Sequence, residues 1–327
     1  MFNGLVNSHD FVIMARKLRA AGRRATIAKL FGTRSSRVQQ AWEHTDAAPV
    51  HWWNIPAVHE RWNRLITGDP GMPYQTYVHR RYLSDRTTVT GLSLGCGIGW
   101  KEVQWVRSCP NLQLTGTDLS AQRIAEASRT AESLGLGDRL RFACADIHSE
   151  DHPEASFDLI IADGSLHHFH SLDTLLPKLR RWLKNDGLFV VNDYVGPARF
   201  QWSGPQLQAI NAILASMPEA LRTEYGGHVK RKVYRPGRLS MIISDPSEAV
   251  ESDRIDPSLH KHFRVIERTP YGGMLLQNIL KGIAHHFLEP KGAAADVLHR
   301  LFAEEDRYLA SGELPSDFCF YICKKGE

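Results

Sequence analysis

Gly95, Gly97 and Gly99 stand at alternate positions in Gly91-Leu92-Ser93-Leu94-Gly95-Cys96-Gly97-Ile98-Gly99-Trp100, directly behind an apolar run. Glycine lets a backbone turn sharply and lets a ligand touch the main chain. The pattern therefore predicts a strand that ends in a ligand-binding turn and feeds a helix. The dinucleotide fingerprint needs a third small residue for close helix packing, but here that position is Trp100, which weighs against a nicotinamide or flavin dinucleotide. Two acids follow later apolar runs. Asp118, 19 residues past Gly99, suits hydrogen bonds from a ribose diol. Asp146 lies at the end of the next run, where an adenine amino group could be read. Acids at strand ends also cap following helices, and Asp118, which precedes Leu119-Ser120-Ala121-Gln122, could serve that role instead.

A second set of polar residues follows the run Phe157 to Ala162, in Asp163-Gly164-Ser165-Leu166-His167-His168-Phe169-His170. Histidine titrates near neutrality, so His167 and His168 are candidates for a catalytic base, with shaping of the loop as the competing role. Three histidines also raise the question of a metal. Adjacent ligands converge poorly on one ion and no paired acid or cysteine follows at metal spacing, so no metal site is expected. Asp193-Tyr194-Val195-Gly196-Pro197-Ala198-Arg199-Phe200-Gln201-Trp202 supplies an acid with a phenol, an arginine for an anion and two aromatics for stacking. Asp193 and Tyr194 are candidates beside the reaction, and Arg199, Phe200, Trp202 and Glu248 are candidates for gripping the substrate. Anchoring in the core is the competing role for Phe200 and Trp202.

These residues require strands to carry them. From about residue 88, β-rich runs at Val89 to Leu94, Leu112 to Thr117, Leu140 to Ala145, Phe157 to Ala162 and Gly187 to Asn192 alternate with helical stretches at about 100–108, 120–134 and 171–184. That alternation predicts a doubly wound α/β sheet, with its site at the carboxyl ends of the strands. After Asp193 it stops for some 70 proline-rich residues, then strands are expected at Phe263 to Arg268 and Phe318 to Lys324 around an apolar segment, Gly273 to Phe287, and a helix at Ala293 to Leu309. Cys319 and Cys323 share one face of the last strand, which suits core packing. Helices are expected at about 10–30 and 55–67, and Trp42, Trp52, Trp53 and Trp62 imply that this N-terminal part packs onto something. The division is then 1–85 as a helical cap or lid, 86–193 as the cofactor-binding core, 194–262 as a substrate-binding insertion and 263–327 as the completion of the sheet.

LSLGCGIG, TGTDLS, FACADI, FDLIIADGSLHHF and LKNDGLFVVNDY, in that order, resemble the successive motifs of the class I S-adenosylmethionine-dependent methyltransferases over about residues 88–193. The resemblance implies a Rossmann-like, mostly parallel, seven-stranded sheet closed by an antiparallel hairpin, with S-adenosyl-L-methionine as cofactor. It places Gly95, Cys96, Gly97 and Gly99 against the methionine and ribose parts of that cofactor, and Asp118 on the ribose hydroxyls. Leu119, Asp146 and the Ile147 backbone would meet the adenine, and Asp163 and Gly164 the methionine end. The segments at 193–202 and 245–252 resemble a bacterial subgroup, some members of which go with surface-glycan or secondary-metabolite genes. The expected reaction is methyl transfer to oxygen or nitrogen of a small-molecule or glycan-linked acceptor. The alternatives are a catalytically silent interaction module and an RNA or DNA methyltransferase. No Asn-Pro-Pro-Tyr-like sequence follows strand four and no RNA-binding module is recognisable, which argues against a nucleic-acid substrate.

The composition is that of an ordinary soluble globular protein: 43% hydrophobic, 23% charged and no internal repeat. The net charge of +4 is unevenly held. Residues 1–40 carry eight basic side chains and one acid, so the other 287 residues sum to −3. Phe11, Val12, Met14, Leu18, Ile27, Leu30 and Phe31 are interleaved with those arginines. The segment could therefore dock by its apolar face or make a weak contact with an anionic membrane surface, and the aromatic N-terminal part is a candidate dimer surface. No apolar run reaches the roughly 18 residues of a membrane span, the charges follow the apolar patch rather than precede it as in a signal peptide, and five scattered cysteines fit a reducing compartment. A cytoplasmic location without disulfides is expected.

Overall fold

The computed structural model describes residues 50–326. The helix expected at about 10–30, Trp42 and the basic segment 1–40 lie outside the described residues. The described chain enters through α1 (Pro56–Thr67) and α2 (Tyr74–Val78), then alternates β1 (Val89–Leu94), α3 (Trp100–Ser108), β2 (Leu112–Asp118), α4 (Ala121–Ser133), β3 (Leu140–Cys144), β4 (Phe157–Asp163), α5 (Leu172–Trp182) and β5 (Leu183–Tyr194). Three helices follow, α6 (Gly204–Ser216), α7 (Arg238–Ser244) and α8 (Ile255–His262), then β6 (Arg264–Gly272), α9 (Leu276–Leu280), α10 (Ala293–Ser311) and β7 (Phe318–Lys324).

The seven strands form one sheet in the order β3-β2-β1-β4-β5-β7-β6. β1 to β5 run parallel, and β7 enters antiparallel between β5 and β6. Every residue of β4 is buried, as expected for a strand covered by helices on both faces. The order reverses beside β1, which pairs with both β2 and β4, and such a reversal opens a crevice at the carboxyl ends of the strands. In register, Leu94 lies opposite Thr117, Asp118 opposite Cys144, and Asp163 opposite Asn192, so the polar residues read from the sequence leave the sheet along one edge.

Local signals account for the element ends. α1 has Pro56 in its first turn and stops at Gly68 in the left-handed region. α4 starts at Ser120, whose hydroxyl accepts from the Arg123 amide. α5 buries Leu172, Leu175, Leu176 and Leu179 at helical spacing. Two strands outrun their sequence expectation. β5 begins at Leu183 rather than Gly187, because Leu183 pairs with Phe157 ahead of a bulge. β6 continues through Pro270 to Gly272, which an edge strand tolerates where a bulge absorbs the missing N–H. Within the proline-rich stretch, α6 and α8 are two-turn and longer helices with buried faces.

Two apolar cores cover the faces of the sheet, and Cys319 and Cys323 lie in one of them. The five cysteines are free thiols. A third core joins stretches far apart in sequence: Trp52, Ile55 and Val58 pack with Ile210 and Leu214 of α6 and with Ile279, Leu298 and Leu301 of α9 and α10. Trp52 meets Trp62 edge-on at 4.9 Å and Phe318 at 5.4 Å, whereas Trp53 is exposed. The described part of the expected cap, the insertion and the C-terminal part therefore share one interior. Inside it, Arg61 of α1 pairs with Glu305 of α10 at 3.1 Å, both buried, and donates to the Tyr271 carbonyl; Glu305 also accepts from the Leu275 and Leu276 amides. Among the described residues no helix is long and apolar enough to cross a membrane.

Candidate functional site

The turn after β1 is built on left-handed glycines. Gly99 has φ +81°, and a Cβ there would sit 2.5 Å from the Phe142 ring, so both conformation and space demand glycine. Gly97, at φ +55°, has only an Arg123 guanidinium nitrogen, 3.5 Å from where a Cβ would be. Its amide donates to Asp118 Oδ2 at 2.9 Å, while Asp118 Oδ1 accepts from the Ser120 amide. Asp118 thus ties the glycine turn to the end of β2, and the helix cap itself falls to Ser120. Cys96 sits in the turn with its amide on the Thr117 carbonyl, and burial, with Glu102 and Asp118 nearby, pushes its thiol far up. Leu119 is half-buried, and the Ala145 amide bonds the Asp118 carbonyl, which brings the β3 tip alongside. There Asp146 accepts from the His148 amide at 3.0 Å, and Ile147 is buried. Gly95, Cys96, Gly97, Gly99, Asp118, Leu119, Asp146 and Ile147 therefore share one edge.

Asp163 departs from its expected role. Its carboxylate is turned inward and takes hydrogen bonds from Tyr74 at 2.7 Å, Trp105 at 3.3 Å and Asn192 at 3.1 Å, with Lys101 at 3.1 Å. With four donors on it, this acid holds the crevice together, and only the backbone of Asp163 and Gly164 can face a ligand. Lys101, which no motif signalled, also donates to the Asp163 carbonyl at 2.6 Å and lies where a Gly164 side chain would have to be. Burial pulls its pKa down, but Asp163, Asp193 and Glu102 outweigh that and hold it above the ordinary lysine value. Ser165 has a buried hydroxyl without a hydrogen-bond partner among the described residues, against the glycine turn at Gly95.

The histidines close the other side of the crevice. His167 Nδ1 lies 2.5 Å from Asp193 Oδ1, and Asp193, fully buried, also accepts from the Ser165, Leu166 and Tyr194 amides. Asp193 is thus a positioning group behind His167. Glu248 Oε1 stands 3.6 Å from His167 Nε2. Burial lowers the His167 pKa, yet the Asp193 charge and hydrogen bond, with Glu248, raise it overall. His168 is held well below the usual histidine value by burial, then by His167 and Arg123. Burial raises the Glu248 carboxyl, against the pull of His167.

Three further expectations are corrected by the packing. The Tyr194 hydroxyl is buried and donates to the Pro197 carbonyl at 3.2 Å, so it faces the insertion rather than a reaction. The Arg199 guanidinium donates to the carbonyls of Asp245, Pro246 and Glu248 at 2.8 to 3.3 Å, so it ties down the loop carrying Glu248, a role the sequence did not signal. Trp202 is buried and stacks on Phe200 at 5.3 Å, the anchoring role. One proximity was not signalled by the sequence spacing. The turn Leu166–His168 brings the His167 and His168 rings to 4.0 Å, and an acid arrives from 80 residues downstream, so that ligand atoms of His167, His168 and Glu248 lie within 4.8 Å of one another.

Residues 92–187 match the family model described as "Methyltransferase domain". Among curated proteins, sterol 24-C-methyltransferase of Eremothecium gossypii is 28% identical over 138 residues, 40% of this chain and 36% of the relative. Malonyl-[acyl-carrier protein] O-methyltransferase of Halalkalibacterium halodurans is 25% identical over 164 residues, 49% of this chain and 59% of the relative. The chain thus spans roughly a third to three-fifths of these relatives' lengths. Among solved structures, Haemonchus contortus phosphoethanolamine N-methyltransferase 2 in complex with S-adenosyl-L-methionine aligns with TM-score 0.49 and 17% identity over 83% of this chain and 57% of that one. The sheet order and the glycine turn are those of a Rossmann-like α/β fold. By this match residues 92–187 are a methyltransferase domain, and the chain is similar to class I S-adenosylmethionine-dependent methyltransferases.

Proposed function

We propose that the protein transfers a methyl group from S-adenosylmethionine to an oxygen or nitrogen of a small-molecule or glycan-linked acceptor. The observation that carries this reading is the convergence of the glycine turn, Asp118 and Asp146 on one sheet edge, with the His167, Asp193 and Glu248 cluster beyond Gly164. The residues fit the cofactor: the turn has a glycine open to the crevice, and the buried Ser165 hydroxyl beside it lacks a partner among the described residues. In this reading Gly95, Cys96, Gly97 and Gly99 take the methionine and ribose, Asp118 the ribose hydroxyls, Leu119, Asp146 and Ile147 the adenine, and the Asp163–Gly164 backbone the methionine end. Bound there, the sulfonium supplies a methyl group already activated toward attack.

The protein's own contribution is to align the acceptor and exclude water. It must also make the acceptor atom nucleophilic, and the cluster of His167, His168 and Glu248 is the group placed for that. The clamped loop at 245–249 walls the acceptor side. Curated relatives act on acceptors as different as sterols and malonyl-[acyl-carrier protein], which supports methyl transfer and leaves the acceptor to experiment. Titration calorimetry with S-adenosylhomocysteine tests the reading: the wild type binds in the micromolar range, and Asp118→Ala, which removes two charge-assisted acceptor sites, weakens binding roughly 100-fold or more. A folded wild type that binds none overturns it.

A further inference from the structure

We infer that His167 and Glu248 together select a primary amine, rather than a hydroxyl, as the methyl acceptor. This deepens the methyl-transfer reading and rests on it for the reaction, while the choice of acceptor atom rests on the hydrogen-bonding character of the two side chains.

His167 Nδ1 lies 2.5 Å from Asp193 Oδ1, and that carboxylate, already the acceptor of three backbone amides, has no proton to give. The ring proton of neutral His167 therefore sits on Nδ1, and Nε2 presents its lone pair. Glu248 Oε1 stands 3.6 Å from that nitrogen, beyond hydrogen-bond reach, so the two atoms face each other without satisfying each other. A carboxylate likewise accepts only. The His167 and Glu248 side chains are 14% and 28% exposed, so a ligand can reach both. The opposition is fixed by the backbone: the Val250 amide bonds the His167 carbonyl, and Arg199 gathers three carbonyls of the loop that carries Glu248.

Two acceptors aimed at one place require a group with two hydrogens to give. An uncharged primary amine has two N–H bonds and a lone pair. Giving one hydrogen to His167 Nε2 and the other to Glu248 Oε1 leaves the lone pair for the methyl carbon. A nitrogen about 3 Å from each subtends roughly 75°, and rotation of the more exposed Glu248 carboxylate widens this toward the tetrahedral angle. A hydroxyl has a single hydrogen and leaves one acceptor unpaired, which is how a polar site rejects a near-isostere.

The surrounding charges set the form in which the amine is taken. Burial and Asp245 raise the Glu248 carboxyl, while His167, Lys281 and Arg199 pull it down. Burial and Lys101 lower His167, against the larger combined pull of Asp193 and Glu248. Arg123 acts on His168 next door. These four cations favour proton-free acceptors and oppose an incoming ammonium, so the amine is bound uncharged.

In the step itself the nitrogen lone pair forms the bond to the methyl carbon as the carbon–sulfur bond breaks and its electron pair returns to sulfur. The resulting secondary ammonium passes a proton to His167 Nε2, and Asp193, a positioning residue, steadies the imidazolium. The product amine keeps one N–H and no longer satisfies both acceptors, so a second methylation is slower than the first.

The test uses the full chain saturated with S-adenosylhomocysteine and titrated, by fluorine NMR, with 2,2,2-trifluoroethylamine and with 2,2,2-trifluoroethanol at pH 8, where both probes are uncharged. The expected result is saturable binding of the amine at least tenfold tighter than of the alcohol. The preference falls below threefold in Glu248→Met and in His167→Met, each at wild-type melting temperature and S-adenosylhomocysteine affinity. It also shrinks in the wild type as the pH is lowered through the His167 titration, because a protonated Nε2 donates instead of accepting. Equal binding of the two probes, tighter binding of the alcohol, or no saturable binding of the amine overturns the selection of an amine, and so do folded variants that keep the full preference. S-adenosylhomocysteine binding in the same samples separates the two claims: retained, it leaves methyl transfer standing without the amine, and its absence from folded wild type removes the methyl-transfer reading itself.

Discussion

At Gly99 the sequence demands a left-handed backbone and the fold leaves no room for a methyl group, because the Phe142 ring fills the space. Gly99→Ala combines the cost of that conformation with overpacking, about 2–4 kcal/mol in urea denaturation. Glu102, just behind the turn, is buried with the Ser93 hydroxyl on its carboxylate, and burial pushes it up to about 7. A raised acid keeps its proton in the folded state where the unfolded chain has lost it. Its contribution is therefore fully present below pH 4.5 and is lost as pH rises toward 7. Glu102→Gln, which keeps an acceptor for Ser93, should flatten that slope and raise stability at pH 8 by roughly 1–3 kcal/mol. Paired denaturation curves at pH 5 and 8 check it, and an unchanged difference between the two proteins would remove the assignment. The roles of glycines at a strand end were readable from the sequence because backbone geometry is local. The roles of Asp163, Tyr194 and Arg199 were not, since which way a side chain turns at a sheet edge depends on what packs there: Tyr74 and Trp105 for Asp163, the 245–248 carbonyls for Arg199.

The five parallel strands and their helices were legible as elements because apolar runs and glycine punctuation repeat from 88 to 193. The insertion was not. α6 and α8 lie among prolines, and the loop at 245–249 has no regular pattern, yet it carries the acid that faces His167. One guanidinium on three carbonyls holds this loop, together with the Arg199 amide on the Ala249 carbonyl and the Val250 amide on the His167 carbonyl. Arg199→Met should therefore leave the sheet amides unchanged in hydrogen exchange while those of 245–250 exchange at least tenfold faster, since hydrogen bonds to a charged group contribute about 1.5–3 kcal/mol. Uniform exchange in both proteins would show that other contacts fix the loop.

For the whole molecule, the division into cap, core and insertion gives way to a shared interior. Arg61 and Glu305 are its ionic pin, buried together between the first and last helices described. Removing one partner strands a charge in an apolar setting, so Arg61→Met should cost about 3–5 kcal/mol by chemical denaturation, and the double change with Glu305→Gln, which keeps an acceptor for the Leu275 and Leu276 amides, should recover part of it. Additive losses would mean that the two residues do not act as a pair. Such long-range closure leaves no trace in local periodicity: Trp52 and Trp62 signalled packing, but not against which partner.

The same interior sets a clock on synthesis. Val58 packs in a core with Leu301, 243 residues later in the chain. At a ribosomal pace of 5–20 residues per second, the early tryptophans wait roughly 12–50 s before the helix that covers them has emerged. Until then that apolar surface must be shielded by something else, and the nascent chain is a natural client for a holding chaperone.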